Sequence, residues 1–223
     1  MGILYIIATP IGNLKDITLR ALEILREVDL IVCEDTRQTV KLLNHFKIKK
    51  PLLSYFQHSK ISRIEQIAEN LRSGRKLALV TDAGTPGIAD PGGKLIKELR
   101  GILGEELKII PIPGPNAAVA ALSISGLPAN RFLFLGFPPS KKGRQKFFGE
   151  VAQAEHTVVF YESSHRILKT LKELALLAPE RETIVCRELT KMFETIYRGK
   201  LEDILAKLNE NQNNLKGEFV IVL

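Results

Sequence analysis

One loop of the chain has residue types that suit the binding of a small molecule. It runs from Asp82 to Gly93, directly after an apolar stretch typical of a strand, and it holds four glycines and two prolines. Glycine allows positive φ angles and a close backbone approach to a ligand, and proline stiffens the loop. The loop is no Walker loop, because Leu95 follows Gly93-Lys94, and no GxGxxG occurs in the sequence. We therefore predict recognition of a small molecule by backbone groups, with a turn that binds no ligand as the alternative.

The densest basic run comprises Lys141, Lys142, Arg144 and Lys146. Neighbouring proline and glycine residues predict that this run is an exposed loop. The formal net charge is +7 and the pI is about 9.4, which favours an anionic partner such as nucleic acid or a membrane surface. The basic run suits contact with phosphates, and a solvated surface loop is the alternative.

The cysteine and histidine pattern argues against a metal site. Cys33 and Cys186 lie far apart in apolar runs, which predicts two buried thiols. No Cys or His pair has the spacing of metal ligands, so we predict that no metal is bound, and we expect His45, His58 and His156 to be structural. We find no stretch as long as a membrane span and no signal peptide, which leads us to expect a cytoplasmic protein.

Short strand-like runs alternate with helical periodicity through the first half of the chain. This alternation predicts an α/β fold with a mostly parallel sheet and helices on both faces. The Gly- and Pro-rich loops after Ala8, Thr81 and Ile112 then lie at the carboxyl ends of strands, where such sheets bind ligands. The predicted strands are 3–8, 29–33, 76–81 and 107–112, and the predicted helices are 18–28, 36–46, 59–71, 94–103 and 116–124.

The second half predicts a mixed sheet in an α+β domain, because several of its strands are joined by short connections. Gly126 to Asn130 resembles a linker, so we predict an N-terminal α/β domain over 1–126 and a C-terminal α+β domain over 131–223. The predicted strands are 132–137, 157–161, 183–186, 195–197 and 218–223, and the predicted helices are 145–154, 163–177 and 201–208.

Six short motifs occur in an order and spacing that resemble one enzyme family. The whole chain is similar to the small-subunit ribosomal RNA cytidine 2′-O-methyltransferases, which belong to the tetrapyrrole-methylase fold superfamily. Each motif is weak alone, but six in order are specific. The motifs are Thr9 to Asp16, Glu34 to Arg37, Asp82 to Gly93, Pro113 to Asn116, Phe160 to Arg166 and Arg187 to Lys191.

The resemblance implies two α/β domains with S-adenosylmethionine in the cleft between them, held mostly by backbone groups. It also implies a homodimer that acts on small-subunit ribosomal RNA or the assembled subunit. Asn116 departs from relatives that often have a smaller residue there. Carried over residue by residue, the cofactor-binding positions are Pro10, Gly84, Thr85, Pro86, Gly87, Ile88, Ala89, Asp90, Pro115, Asn116, Phe160, Tyr161 and Glu162.

The chemistry of such a reaction makes modest demands on side chains. A sulfonium methyl is already activated, so alignment is the main task, and a ribose 2′-hydroxyl benefits from a proton acceptor. Asp90 is our first choice, with turn capping before Pro91 as the alternative. For Glu34 and Asp35 the alternative is a helix N-cap with an ion pair to Arg37. The further candidate acceptors are Glu162 and Glu188.

Two other functions remain open from the residues alone. A methylase of the same fold that acts on a tetrapyrrole or another small molecule would share the cofactor loop but would not need the basic run. A non-catalytic RNA-binding assembly protein would need the basic run alone. Besides the basic run, the cationic residues expected to face RNA are His165, Arg166, Arg187 and Lys191.

Overall fold

The computed structural model describes residues 1–56 and 61–223. Two compact units divide the chain, Met1–Asn116 and Ala117–Leu223. Each unit is built on one five-stranded sheet of the described residues.

The first unit alternates strands with helices along the whole of its length. Its apolar residues recur at helical spacing in the helices and continuously in the strands, as expected for a sheet that is buried on both faces. The strands are β1 (Ile3–Ile7), β2 (Leu30–Cys33), β3 (Leu52–Ser54), β4 (Lys76–Leu79) and β5 (Lys108–Ile112), and the helices are α1 (Leu19–Glu27), α2 (Thr36–His45), α3 (Ile61–Arg72) and α4 (Gly92–Leu103).

The strands of the first sheet follow the order β3-β2-β4-β1-β5. All neighbouring strands are parallel, so their carboxyl ends meet at one edge. Alternate residues of β4 enter different clusters: Leu77 packs with residues of α3 and α4, and Ala78 packs with residues of α1 and α2. Helices therefore cover both faces of this sheet.

Side-chain caps fix where two of these helices begin. The Thr18 hydroxyl accepts a hydrogen bond from the backbone N–H of Ala21 at the start of α1. The Asp35 carboxylate accepts one from the backbone N–H of Arg37 at the start of α2. Such caps satisfy N–H groups that the first turn of a helix leaves without partners.

The second unit begins with a helix and continues with a mixed sheet. Three helices and the sheet enclose a core that includes Phe148, Phe160 and Phe219. The helices are α5 (Ala117–Ser125), α6 (Arg144–Gln153), α7 (Ile167–Leu177) and α8 (Leu201–Asn209), and the strands are β6 (Phe132–Phe134), β7 (Thr157–Ser163), β8 (Thr183–Arg187), β9 (Thr195–Gly199) and β10 (Glu218–Val222).

The second sheet has the order β6-β7-β10-β8-β9. Only the pair β6 and β7 is parallel among its neighbours, and the other three pairs are antiparallel. The fold class predicted from the sequence, a mostly parallel sheet followed by a mixed sheet, is confirmed.

Several predicted elements differ from the observed ones in their bounds. Strand β3 was absent from the prediction because it has only three residues. Helix α7 begins at Ile167, since residues predicted to open it extend β7 or form the turn after it. The predicted start of α3 at Ser59 lies outside the described residues. Helix α5 packs against β7 and β10, and the domain boundary near residue 126 stays a prediction.

Candidate active site

The loops after β1 and β4 are joined at the carboxyl edge of the first sheet. The backbone N–H of Thr9 donates to the carbonyl of Gly84 at 2.9 Å, and the N–H of Gly84 donates back to the carbonyl of Thr9 at 3.0 Å. The buried hydroxyl of Thr9 also donates to the carbonyl of Thr81 at 3.0 Å. These bonds fix the start of the glycine-rich loop against the end of β1.

The loop after β5 approaches the same place. The Thr85 hydroxyl donates to the carbonyl of Pro115 at 3.0 Å. A β-carbon built on Gly114 would lie 3.0 Å from the β-carbon of Ala8, so glycine permits this close approach. The structure therefore brings together the three strand-end loops at which the sequence predicts a ligand.

The backbone of the glycine-rich loop takes an unusual course. Gly84 and Gly87 have φ angles of +83° and +87°, and Ala89 has a φ of +61°. A non-glycine residue in this left-handed region costs roughly 1–2 kcal/mol. Ile88 and Ala89 are exposed, which leaves this segment accessible to a ligand.

The Asp90 carboxylate is occupied by the loop itself. Its Oδ1 and Oδ2 accept hydrogen bonds from the N–H of Gly87 at 2.8 and 2.9 Å. Its Oδ1 also accepts one from the N–H of Gly92 at 2.6 Å. These hydrogen bonds are those of an aspartate that stabilises a turn, which is the alternative to catalysis for Asp90. A catalytic role for Asp90 stays a prediction.

Glu34 and Asp82 place two more carboxylates at the ends of β2 and β4. The Thr81 hydroxyl donates to Oε2 of Glu34 at 3.3 Å, and Oδ1 of Asp82 accepts from the N–H of Asp35 at 3.2 Å. Burial, followed by the charges of Asp82 and Asp90, raises the pKa of Glu34. Desolvation raises the pKa of Asp82. A carboxylate with a raised pKa is a stronger base, so Glu34 is well suited to accept a proton.

Asp35 has a different role from that of its neighbour. It caps α2 and forms an ion pair with Arg37, with Oδ2 and Nη2 2.7 Å apart. Hydrogen bonds from Arg37 lower the pKa of Asp35 to about 2. The structure thus shows the N-cap and ion pair for Asp35 and leaves the Glu34 carboxylate without that ion pair.

Glu162 lies in a buried polar network in the second unit. Its side chain is 0% exposed, and its Oε1 lies 2.8 Å from Nη2 of Arg166. The Thr170 hydroxyl donates to its Oε2 at 2.6 Å, and the Ser163 N–H donates to its Oε1 at 2.7 Å. These partners compensate a carboxylate that would be costly to bury without them. Its catalytic role stays a prediction that this network does not favour.

A profile of the tetrapyrrole (corrin/porphyrin) methylases matches residues 3–205 of the chain. The chain belongs to the tetrapyrrole methylase family. Proteins named ribosomal RNA small subunit methyltransferase I are similar to this methylase along its whole length. The one from Synechocystis sp. is 49% identical over 100% of this chain and 79% of its own length. The one from Thermotoga maritima is 42% identical over 100% of this chain and 98% of its own.

Solved structures resemble the methylase in fold. Diphthine synthase has a TM-score of 0.74 at 15% identity and matches 100% of this chain and 90% of its own. Uroporphyrin-III C-methyl transferase from Thermus thermophilus, complexed with S-adenyl homocysteine, has a TM-score of 0.64 at 18% identity. It matches 99% of this chain and 97% of its own. The resemblance to a methylase family stated from the sequence is confirmed.

The remaining predicted cofactor positions differ in accessibility. Pro10 and Phe160 are buried, and Pro115 and Asn116 are half-buried. The hydroxyl of Tyr161 accepts a hydrogen bond from the N–H of Ala118 at 3.2 Å. Phe160 is 0% exposed, so its predicted contact with the cofactor stays a prediction.

The prediction that Arg144 lies on an exposed basic loop is wrong. Arg144 is 5% exposed, and its Nε lies 2.8 Å from Oε2 of Glu173. It also donates to the Thr170 hydroxyl at 2.7 Å and lies over the Phe148 ring at 4.7 Å. Its charge is used inside the second unit, so it is not presented to a ligand.

Arg187, Arg166 and Lys191 are also engaged within the protein. Arg187 is buried and donates to the backbone carbonyls of Phe193, Asn213 and Lys216. Arg166 is paired with Glu162, and Lys191 is paired with Glu188 and Glu218. The residues of the predicted RNA-binding set that are exposed are Lys141, Lys142, Lys146 and His165.

Polar residues that support the carboxylates were not predicted from the sequence. Thr9 and Thr81 are buried, and their hydroxyls bond the loop and Glu34. Asp82 was treated only as the first residue of the loop. The available signal was that Thr81 ends the predicted strand 76–81 of a parallel sheet and that Asp82 directly follows it.

Within residues 1–56 and 61–223, no group of three or more His, Cys, Asp or Glu side chains is arranged to hold a metal ion. No helix among these residues has the length and apolar character needed to cross a membrane. Both cysteines are buried and free, as predicted, while His58 lies outside the described residues.

Proposed function

We propose that this methylase transfers a methyl group from S-adenosylmethionine to the 2′-hydroxyl of a cytidine ribose in small-subunit ribosomal RNA. One observation carries the proposal: identity of 42–49% over the whole chain to proteins named ribosomal RNA small subunit methyltransferase I. The fold relatives at 15–18% identity support the fold alone and leave the substrate open.

The joined loops of the first sheet fit a cofactor held by backbone groups. Gly92 leaves no room for a side chain, since a β-carbon there would lie 2.9 Å from the backbone nitrogen of Gly87. The charges of the nearby Asp82 and Asp90 carboxylates help to raise the pKa of Glu34. Their negative potential suits a ligand that carries a positive sulfonium and amino group. S-adenosylmethionine supplies an activated methyl group when bound.

The chain itself has to orient the hydroxyl and hold a proton. We assign proton acceptance to Glu34, whose carboxylate lies beside the loop and whose pKa is raised by burial first. Asp90 holds the loop through Gly87 and Gly92. Lys141, Lys142 and Lys146 are exposed and contact RNA phosphates in this proposal. We further propose a cytoplasmic homodimer.

The test is mapping of ribose methylation by mass spectrometry on small-subunit RNA after incubation with S-adenosylmethionine and the protein. Free RNA and the assembled subunit are both offered, and Gly87→Val serves as the binding-deficient variant because residue 87 has a φ of +87°. A new 2′-O-methylcytidine with wild type alone supports the proposal. Cofactor binding without RNA methylation favours a small-molecule methylase, and no cofactor binding favours a non-catalytic RNA-binding protein.

A further inference from the structure

A long segment of the first unit carries basic residues and no acidic ones. Between Asp35 and Glu65 the sequence has seven Lys and Arg residues but no Asp or Glu. The net charge of the whole chain is +7, so this segment concentrates positive charge in one stretch. A run of one sign attracts a polyanion and repels other cations.

The structure places four of these lysines on α2 and on the connection to β3. We call Lys41, Lys47, Lys49 and Lys50 the α2 basic surface. The first three are exposed and Lys50 is half-buried. Helix α2 has ten residues, which corresponds to about 15 Å.

Among the described residues these lysines form no close ion pair with a carboxylate, although the charge of Lys41 helps to lower the pKa of Asp35. In the part of the chain that the structure describes, none of the four forms an ion pair. Lys41 donates instead to the uncharged side chain of Gln38 at 3.3 Å. By contrast, Arg37 at the start of α2 is paired with Asp35 and is left out of the surface.

Lys47 occupies a backbone position at which lysine is unfavourable. Its φ is +55°, directly after the last turn of α2, where glycine or asparagine is the usual residue. The turn is fixed by the Ile48 N–H, which donates to the carbonyl of Leu43 at 2.9 Å, and both of these side chains are buried. Lysine at position 47 therefore carries a backbone strain of about 1–2 kcal/mol.

The dipole of α2 explains only part of this arrangement. A cation near a helix C-terminus is worth roughly 0.3–1 kcal/mol, and the effect falls off within the last turn. Lys41 lies four residues before the end of α2, and Lys49 and Lys50 lie beyond it. Helix stabilisation therefore does not account for the set as a whole.

We propose that the α2 basic surface binds phosphate groups of the RNA substrate, as a contact separate from Lys141, Lys142 and Lys146. This inference rests on the proposed function. Each lysine that neutralises a phosphate releases condensed counterions, so RNA affinity depends on salt in proportion to the number of contacts.

The decisive variant is Lys47→Gly, which removes a charge and also relieves the left-handed strain. Its melting temperature should equal or exceed that of the wild type, because glycine adopts this backbone freely. A second variant replaces all four lysines with glutamine. The control is Lys97→Gln on α4, an exposed lysine on a helix that packs against the other face of the sheet.

The measurement is the affinity for small-subunit RNA over a series of salt concentrations, with cofactor affinity measured beside it. We expect the slope of log affinity against log salt to shrink by about 0.7–0.9 for Lys47→Gly and by about 3 for the fourfold variant. Lys97→Gln and cofactor affinity should not change. A slope that stays at the wild-type value in both variants overturns the inference. Wild-type protein that neither binds nor methylates the RNA overturns the proposed function instead.

Discussion

The backbone N–H of Gly92 donates a hydrogen bond of 2.6 Å to Oδ1 of Asp90. A β-carbon on residue 92 would lie 2.8 Å from that same oxygen and 2.9 Å from the backbone nitrogen of Gly87. Real β-carbons do not approach so closely, and one of the obstructing atoms is backbone. The hydrogen bond from residue 92 and the absence of a side chain there therefore depend on each other in the glycine-rich loop.

Gly92→Ala should distort the loop and weaken cofactor binding. Gly101→Ala on the same helix is the matched control, because a β-carbon there meets nothing within 4 Å. In a helix interior that exchange stabilises by roughly 0.5–1 kcal/mol. Calorimetric titration with S-adenosylmethionine and thermal unfolding give the two readouts. Equal cofactor affinity in the two variants would contradict the assigned role of the loop.

Asp90→Asn should act mainly on binding. The amide keeps one acceptor oxygen but turns an NH₂ group toward an N–H donor, so at least one loop hydrogen bond is lost. We expect stability to fall by about 1–3 kcal/mol and cofactor affinity to fall with it. The single-turnover methylation rate with saturating cofactor and RNA should stay near that of the wild type. A rate loss of about 10²–10⁴-fold with unchanged binding would return Asp90 to the role of proton acceptor.

Glu34→Gln should remove the proton acceptor and weaken cofactor binding only slightly, because Asp82 and Asp90 keep their negative charge beside the loop. The single-turnover rate should fall by about 10²–10⁴-fold. In the wild type the rate should rise with pH as Glu34 loses its proton, and this rise should occur above the ordinary pKa of 4.5 because burial and neighbouring carboxylates raise the pKa. The variant should lack that limb of the pH profile. A wild-type rate in the variant would sink the assignment.

The stability of the fold should increase in Glu34→Gln, although the methylation rate decreases. A raised pKa in the folded state means that ionised Glu34 destabilises the fold. The contribution of Glu34 to stability is therefore highest below its pKa in the unfolded chain, and it declines as the pH rises through its pKa in the folded protein. Glu34→Gln should therefore melt at a higher temperature than wild type at pH 7. The difference should disappear below the ordinary pKa of 4.5. Scanning calorimetry at several pH values measures it, and a variant that is less stable at neutral pH would speak against this account.

Substitutions at Arg144 and Lys142 should distinguish a structural role from a role in RNA contact. Arg144→Ala removes a guanidinium whose nitrogens lie 4.0 Å from Oε2 of Glu162 and 2.8 Å from Oε2 of Glu173. Glu162 keeps its pair with Arg166 and the side chain of Glu173 is 32% exposed. The loss of stability should therefore be smaller than the roughly 3–5 kcal/mol of a fully buried pair, and denaturant unfolding measures it. Lys142→Ala should leave stability within about 0.5 kcal/mol and reduce the salt dependence of RNA binding. A stable Arg144→Ala with reduced salt dependence would restore Arg144 to the RNA-binding set.

The sequence was sufficient for the parallel sheet and for the place of the ligand loops, because local periodicity and strand ends carry that information. It was not sufficient to predict that Arg144 is buried. A run of basic residues suggests exposure, yet Arg144, Phe148 and Val151 share the buried face of α6. The partners that make this burial possible, Glu162 and Glu173, come later in the chain. Only the fold brings these charges together.

Asp90 and Glu34 show the same limit at the candidate site. The sequence supports turn formation and catalysis equally well for an aspartate before a proline. The three hydrogen bonds to Gly87 and Gly92 favour turn formation. The desolvation of Glu34 beside Asp82 depends on β2 and β4 lying side by side, which no local pattern reveals.

Strand order also sets the sequence of events during synthesis on the ribosome. The first sheet has all of its strands once Ile112 has emerged, because β5 is its last member. In the second sheet β10 lies between β7 and β8, so β6-β7 and β8-β9 remain two separate ladders until Glu218–Val222 is made. Phe219 and Ile221 then complete the core. The first unit can therefore fold while the second is still being translated, and a nascent chain stalled before Glu218 exposes an open apolar sheet to chaperones and proteases.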